Sequence, residues 1–429
     1  MTNVRTPDMV PHLMHLMGVG RRDVADDPFP HVPDVVPHAA DARAPDVADE
    51  RLPPLADGST RSTVTPTTPT TPTTPTTPAD PAAPWTPREF EAAARARLAP
   101  EHYDYFAGGA GDEVTVRANE AAFDRLSLVP RVLRGAGRPR TDVTLPGGRV
   151  AMPVLVAPTA FHRLADPEGE RATARAAART GTIMIVSMAS TVAVGEVAAA
   201  APEATLWFQL YVQPDMAFTE TLVRRAEAAG CRALVVTVDS PARGLRDRER
   251  QHGFHDLPEG MACENLRDGG RVRPIVMSPE ISWEHIDRLR EMTALPIVLK
   301  GVAHPADARL ALDHGVSGLM VSNHGGRQLD TIPAAVDLLP EIVATVGGAV
   351  PVLMDGGVRR GTDVLKAMAL GAGAVAVGRP VIWGLAADGE RGVTRVLDLL
   401  RSEVEHALTL CGCASVHDLD PGMVRRSCR

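Results

Sequence analysis

From Val150 onward the chain repeats one beat: a short apolar run, a polar or glycine-bearing loop, and an alanine-rich stretch whose apolar positions recur at helical spacing. The apolar runs are Met152–Ala157, Thr182–Ser187, Leu206–Val212, Ala233–Val238, Pro296–Lys300, Gly318–Ser322, Val350–Asp355 and Ala374–Gly378. Runs of this length that empty into polar and glycine residues read as buried strands. Between them lie helical patterns such as Glu168–Arg179, Met216–Ala229, Pro305–His314 and Gly361–Leu370. Eight strand-and-helix beats predict an α/β fold of the (β/α)8 TIM-barrel type. A doubly wound open sheet competes, but no Gly-x-Gly-x-x-Gly follows an early run, and the eighth run closes the count. The stretch from Ser240 to Glu280 breaks the beat, being long, charged and Gly/Pro-bearing, and is expected to form a lid loop (240–280) after the fourth strand.

Ahead of the barrel, Thr86, Pro87 and Glu89 spell a capping-box helix start, with the helix running to about Leu98. The segment Tyr103–Ala110 reads as aromatics before a glycine turn, and a second helix is expected from about Glu113 to Leu126. These helices should cap one end of the barrel, so that 85–429 forms one domain. Residues 1–84 are Pro- and Asp-rich and end in a tract with Pro at every third position from Pro66 to Pro78. Such a tract lacks backbone donors and favours an extended spacer, so an N-terminal disordered extension is expected, with a short helix around Met9 to Met17 as the exception.

The chain has 429 residues, 44% of them hydrophobic and 23% charged, enough to bury a large core. A net charge of -8 and only 3% aromatics argue against a nucleic-acid partner. Five Cys, including Cys411, Cys413 and Cys428, form neither paired metal-ligand sets nor a disulfide framework, and read as reduced cytoplasmic thiols with no metal. No membrane span or signal pattern is evident, which makes a cytoplasmic location the expectation.

The carboxyl ends of the eight runs carry an unusual set of groups: Ala157-Pro158-Thr159, Ser187, Gln209-Leu-Tyr211, Thr237-Val-Asp239, Lys300, Ser322-Asn-His324, Asp355-Gly-Gly357-Val-Arg359 and Gly378-Arg379. In a barrel these ends share one mouth. Charges drawn into a pocket carry a desolvation cost that a purely structural barrel has no need to bear. Gly356-Gly357 and Gly378-Arg379 follow the last two strands, the usual phosphate position of such barrels, and predict a phosphorylated ligand or cofactor.

Together with Asp166-Pro-Glu-Gly-Glu170, Phe208–Tyr211 and Asp355–Asp363, these segments resemble the FMN-dependent 2-hydroxy acid oxidase and dehydrogenase family from about residue 86 to 415. The resemblance implies FMN as cofactor and His324 as the base that takes the substrate 2-hydroxyl proton, with Asp239 as its charge partner. Arg327 and Arg246 would hold the substrate carboxylate bidentately, Tyr105 and Tyr211 would donate hydroxyls, and Lys300 would stabilise the reduced ring. Ala157, Pro158, Thr159, Ser187, Gln209, Thr237 and Ser322 would surround the ring, and Asp355, Gly357, Arg359, Gly378 and Arg379 the ribityl and phosphate groups. Asp166 stands where relatives often carry His.

One departure bears on the substrate. Where glycolate oxidase has a bulky Trp, this chain has Ala189, so the side-chain pocket should admit an acid larger than glycolate, such as lactate or a mandelate. His162, in the loop after the first strand, is expected either near the side-chain end of the pocket or capping a helix. The implied activity is oxidation of an (S)-2-hydroxy acid to the 2-oxo acid by a homotetramer, with O2 as the favoured acceptor because no haem segment or apolar membrane insertion is present. A dehydrogenase with another acceptor, a monooxygenase, a non-redox FMN isomerase and a binding scaffold are the alternatives.

Overall fold

The computed structural model describes residues 84–254 and 256–427; the expected N-terminal extension and Cys428 lie outside the described residues. Eight parallel strands form a closed barrel: β1 (Val154–Val156), β2 (Ile183–Ser187), β3 (Thr205–Leu210), β4 (Leu234–Thr237), β5 (Ile297–Val302), β6 (Gly318–Val321), β7 (Val352–Asp355) and β8 (Ala374–Val377). Each pairs with its sequence neighbour, and β8 returns to β1 through Val375 opposite Val154 and Val377 opposite Val156. Nearly every strand residue is buried, because the barrel interior takes one face and the helices the other. Each strand lies within the apolar run expected for it, apart from one-residue overhangs at the start of β3 and a two-residue extension of β5.

Three helices precede the barrel: α1 (Pro87–Arg97), α2 (Pro100–Ala107) and α3 (Val114–Asp124). Thr86 caps α1 by accepting from the Glu89 amide at 3.3 Å, while the Glu89 carboxylate reaches back to the amide of Trp85, one residue earlier than a capping box requires. The segment read as aromatics before a glycine turn is helical as far as Ala107; Gly108 is extended, and the turn falls later, at Gly111–Asp112. Helix α3 begins at Glu113 in the left-handed region with no side-chain cap of its own. Its first amides bond Asp330, which accepts from Thr115 N at 2.9 Å and Val114 N at 3.3 Å. Farther along, Asn119 and Asn323 exchange two amide hydrogen bonds of 2.9 and 2.8 Å. Helix α3 is thereby fixed to the loop after β6.

Around the barrel run α4 (Glu170–Thr180), α5 (Val194–Ala200), α6 (Met216–Ala228), α7 (Asp247–Gln251), α8 (Trp283–Met292), α9 (Pro305–Asp313), α10 (Ala335–Val346), α11 (Gly361–Ala369) and the long α12 (Arg379–Cys411), bent at Asp388–Gly389. The 240–280 stretch holds α7 and a two-residue hairpin, Arg267–Asp268 with Arg271–Val272. Among the described residues, no helix is long and apolar enough to cross a membrane.

Candidate active site

A cavity of about 400 Å³ opens at the carboxyl ends of the strands. Of the groups expected to act on the substrate or cofactor, all line it except Asp239 and Ser322, which sit directly behind lining groups; His162 is a separate case taken up below. Ser322 accepts from Lys300 Nζ at 2.9 Å and from the His324 amide at 3.0 Å, joining the ends of β5 and β6.

His324 occupies the left-handed region at φ 56, and Gly325 and Gly326 continue there at 63 and 76. A side-chain-bearing residue in that region costs about 1–3 kcal/mol, so the surrounding contacts must hold it there. His324 Nδ1 lies 2.8 Å from Asp239 Oδ1, and Nε2 faces the cavity, 3.5 Å from the Tyr211 hydroxyl. An ionised carboxylate only accepts, so Nδ1 carries the proton and Nε2 presents its lone pair. Burial lowers the His324 pKa, and Asp239 only partly offsets this. Burial works against the Asp239 carboxylate, yet the imidazole and Lys300 outweigh it and hold that pKa below its usual value. Tyr211 and Tyr105 are both pushed up by burial and stay protonated as donors.

Lys300, only 4% exposed, pairs with Asp355 Oδ2 at 3.0 Å. Burial disfavours its ammonium, but Asp355 and Asp239 more than compensate and raise the pKa. The strand register sets Ser187 beside Gln209 and Thr237 beside Lys300. Ser187 donates to Gln209 at 3.2 Å, and Gln209 donates to Thr237 at 3.1 Å, giving the floor a row of fixed polar groups.

Arg327 and Arg246 meet at the outer wall. Arg327 donates to the carbonyls of Tyr105 and Gly108, and its guanidinium lies 4.9 Å over the Tyr105 ring. Arg246 donates through Nε to the Arg327 carbonyl at 3.1 Å. Arg246, rather than its exposed neighbour Arg250, is the arginine of this stretch that comes beside Arg327. Ala189 is buried at the cavity wall, and Phe161, Phe254, Leu257, Ile275 and Met277 complete an apolar side. Phe254, Leu257, Ile275 and Met277 come from the 240–280 stretch, and irregular loop sequence held no signal for them. His162 does not line the cavity: it is 1% exposed, held between Thr159 at 2.5 Å and Thr173 at 2.9 Å, and burial lowers its pKa. The expectation of His162 at the substrate side-chain end is therefore corrected: the turn at Phe161, φ 64, sends Phe161 to the cavity and His162 into the protein.

At the other end, Gly356 and Gly357 adopt φ 96 and 82, and a Cβ on Gly357 would meet the Asn119 carbonyl at 2.0 Å. Gly378 and Arg379 open α12, aiming a helix N-terminus into the cavity. Arg379 donates to the carbonyls of Phe106, Ala107, Gly108 and Gly325, and among the described residues no carboxylate lies within ion-pair distance. Burial, with Arg327 and Arg359 nearby, pushes its pKa down to about 9. The Asp355 Oδ1 atom is buried without a partner among the described residues. A pocket short of negative charge at one end, holding an unpaired acceptor and a polar floor, suits a ligand with a phosphate, hydroxyls and a polar planar ring.

A family model described as FMN-dependent dehydrogenase matches residues 94–426, and the chain belongs to that family. Among its relatives, 2-hydroxyacid oxidase 2 of Rattus norvegicus is 43% identical over 79% of this chain and 98% of its own length. L-lactate oxidase of Nostoc sp. is 43% identical over 77% and 95%. The crystal structure of mandelate oxidase with 3,3-difluoro-2-hydroxy-3-phenylpropionic acid superposes with TM-score 0.75 at 44% identity, covering 80% of this chain and 99% of that one. FMN is the cofactor, and the cavity holds groups of the kinds it needs: Arg379 and the α12 N-terminus would hold the phosphate, Asp355 the ribityl hydroxyls, and Gln209, Thr237 and Lys300 the ring edge.

Proposed function

We propose that this protein oxidises an (S)-2-hydroxy acid with an apolar side chain, lactate- or mandelate-like, to the 2-oxo acid, and passes the electrons to O2 as hydrogen peroxide. The observation that carries the reading is the convergence of His324 Nε2, the Arg246/Arg327 pair and Lys300 on one cavity. The relatives named above, whose names specify hydroxy acid, lactate and mandelate oxidases, support the same chemistry.

Bound FMN would supply the two-electron acceptor for the hydride, or its equivalent, that leaves substrate C2. The chain's own groups do the rest. The substrate carboxylate lies against Arg246 and Arg327, whose planar forks match it bidentately. The hydroxyls of Tyr211 and Tyr105 donate to substrate oxygens. His324 Nε2 takes the 2-hydroxyl proton, and Asp239, at 2.8 Å from Nδ1, stabilises the resulting imidazolium. Lys300 adds positive charge where the electrons arrive. Ala189 leaves the space that a larger side chain fills, against Phe161 and the 240–280 stretch, which acts as the lid. A cytoplasmic homotetramer belongs to the same proposal, resting on family resemblance for assembly and on composition for location; sedimentation of the purified enzyme at the mass of four chains checks the assembly.

Anaerobic titration of the yellow holoenzyme with a panel of 2-hydroxy acids, followed by air and a peroxide assay, tests this. Bleaching by the larger acids and stoichiometric peroxide are expected. Bleaching without peroxide points to another acceptor or to a monooxygenase outcome, glycolate turned over at least as well as every larger acid refutes the pocket reading, and no bleaching by any acid refutes the activity.

A further inference from the structure

The lid supplies a carboxylate that the scheme above does not use. Glu249, on α7, is only 3% exposed. Its Oε1 accepts from Arg327 Nη2 at 3.0 Å and from Arg246 Nη1 at 3.2 Å, and its Oε2 accepts from Arg243 Nη2 at 2.7 Å. Arg246 and Arg327 come from different loops, and two guanidinium groups side by side in a buried wall repel each other. Burial and the charge of Arg246 lower the Arg327 pKa, the mark of that repulsion. One shared carboxylate oxygen counters it and fixes the distance between the two forks.

The donors left over show what the arrangement is for. Arg327 commits Nη1 to two carbonyls and one Nη2 hydrogen to Glu249, which leaves Nε–H and a second Nη2 hydrogen without partners among the described residues. Arg246 commits Nε to the Arg327 carbonyl and one hydrogen to Glu249, with a long 3.4 Å contact to Gln328. Each fork therefore keeps donors for a second anion. Among the hydrogen bonds of Glu249, none reaches His324 or Asp239, so it stands outside the proton route.

We propose that Glu249 is a positioning residue that holds Arg246 and Arg327 side by side as one clamp for the substrate carboxylate, and so sets the preference for an ionised acid over its neutral amide. This rests on the reading that the two arginines bind the substrate carboxylate. The opposite role, a decoy anion that competes with substrate, predicts the opposite sign on removal.

The test uses the FMN-loaded full chain with mandelate and mandelamide, or lactate and lactamide if the panel favours smaller acids, and oxalate as a non-reacting anion followed by the flavin spectrum. In E249Q, the KM for the acid and the oxalate Kd are expected to rise about tenfold to a hundredfold, the size of a lost charge-assisted contact. The kcat with the acid and the KM for the amide should stay within about fivefold, since only ground-state carboxylate binding is removed. E249D, with the charge kept but one methylene shorter, should fall between. An unchanged or lower KM for the acid, or an equal loss for acid and amide, overturns the proposal. A wild-type enzyme that takes the amide as readily as the acid refutes the arginine reading itself. A wild type that prefers the acid, with that preference intact in E249Q, refutes Glu249 alone. Should E249Q not fold, E249D decides: a raised KM for the acid alone supports the role, and an unchanged one ends it.

Discussion

Replacing Asp239 with Asn tests the proton-transfer step most directly. The carboxylate sits 2.8 Å from His324 Nδ1, and its second oxygen is buried with no partner among the described residues, so its charge is spent on the imidazole and on nearby Lys300. Proton transfer turns the imidazole into a cation whose charge centre lies on the order of 4 Å from the carboxylate; at an effective dielectric near 20 that attraction amounts to about 4 kcal/mol. An amide keeps some of it through its dipole, leaving a loss of about 3 kcal/mol. The amide also offers an N–H toward Nδ1, which favours the tautomer with the proton on Nε2 and removes the lone pair from the substrate side. Each 1.36 kcal/mol is tenfold in rate, so D239N should slow flavin reduction by about 10²–10³-fold, and further if the tautomer flips. The assay is anaerobic stopped-flow with saturating substrate, in a variant checked for unchanged FMN content. A drop below about fivefold, equivalent to roughly 1 kcal/mol, would show that the Asp239–His324 pair does not carry the proton.

The remaining expectations concern pH and the side-chain pocket. Because burial holds the His324 pKa below its ordinary 6.5, the base is neutral and competent across the neutral range; kcat/KM should climb with pH only below 6.5 and be flat above it. A limb centred above pH 7 for a non-titrating substrate would contradict the neutral, buried imidazole. In A189W, an indole replaces a buried methyl on the cavity wall, so kcat/KM for mandelate should fall by about a hundredfold or more, the penalty for overfilling a formed pocket being about 1–3 kcal/mol on top of lost contacts. Glycolate turnover should change much less, and an equal loss on both acids would place the substrate side chain elsewhere.

The barrel was legible because each buried strand is an unbroken apolar run whose last residues are chemically distinct; those ends are the site, so fold and candidate chemistry came together. His324, Asp239, Lys300 and Arg379 were readable as strand-end residues. Helix α2 was not, since its aromatics and the glycines after it mimic a turn, and the helix forms where Tyr105 and Phe106 are buried against the cavity. Glu249 was hidden among Arg243, Arg246, Arg248 and Arg250: a charged run looks solvated until the chain folds its one buried carboxylate onto an arginine from another loop. Pocket contacts from the 240–280 stretch, such as Phe254 and Met277, follow no periodicity and became visible only in three dimensions.

Asp330 connects these observations. It closes the loop that carries His324 and also supplies the start of α3, whose own residues provide no terminus. Cap rules look one turn away, whereas this pair is separated by 215 residues or more. The left-handed histidine is thus braced from outside the barrel. A version of the enzyme trimmed to its eight-fold repeat would lose Tyr105 outright and, with it, the conformation that aims the remaining groups, which makes the preceding helices a component of the catalyst that engineering by truncation should leave in place.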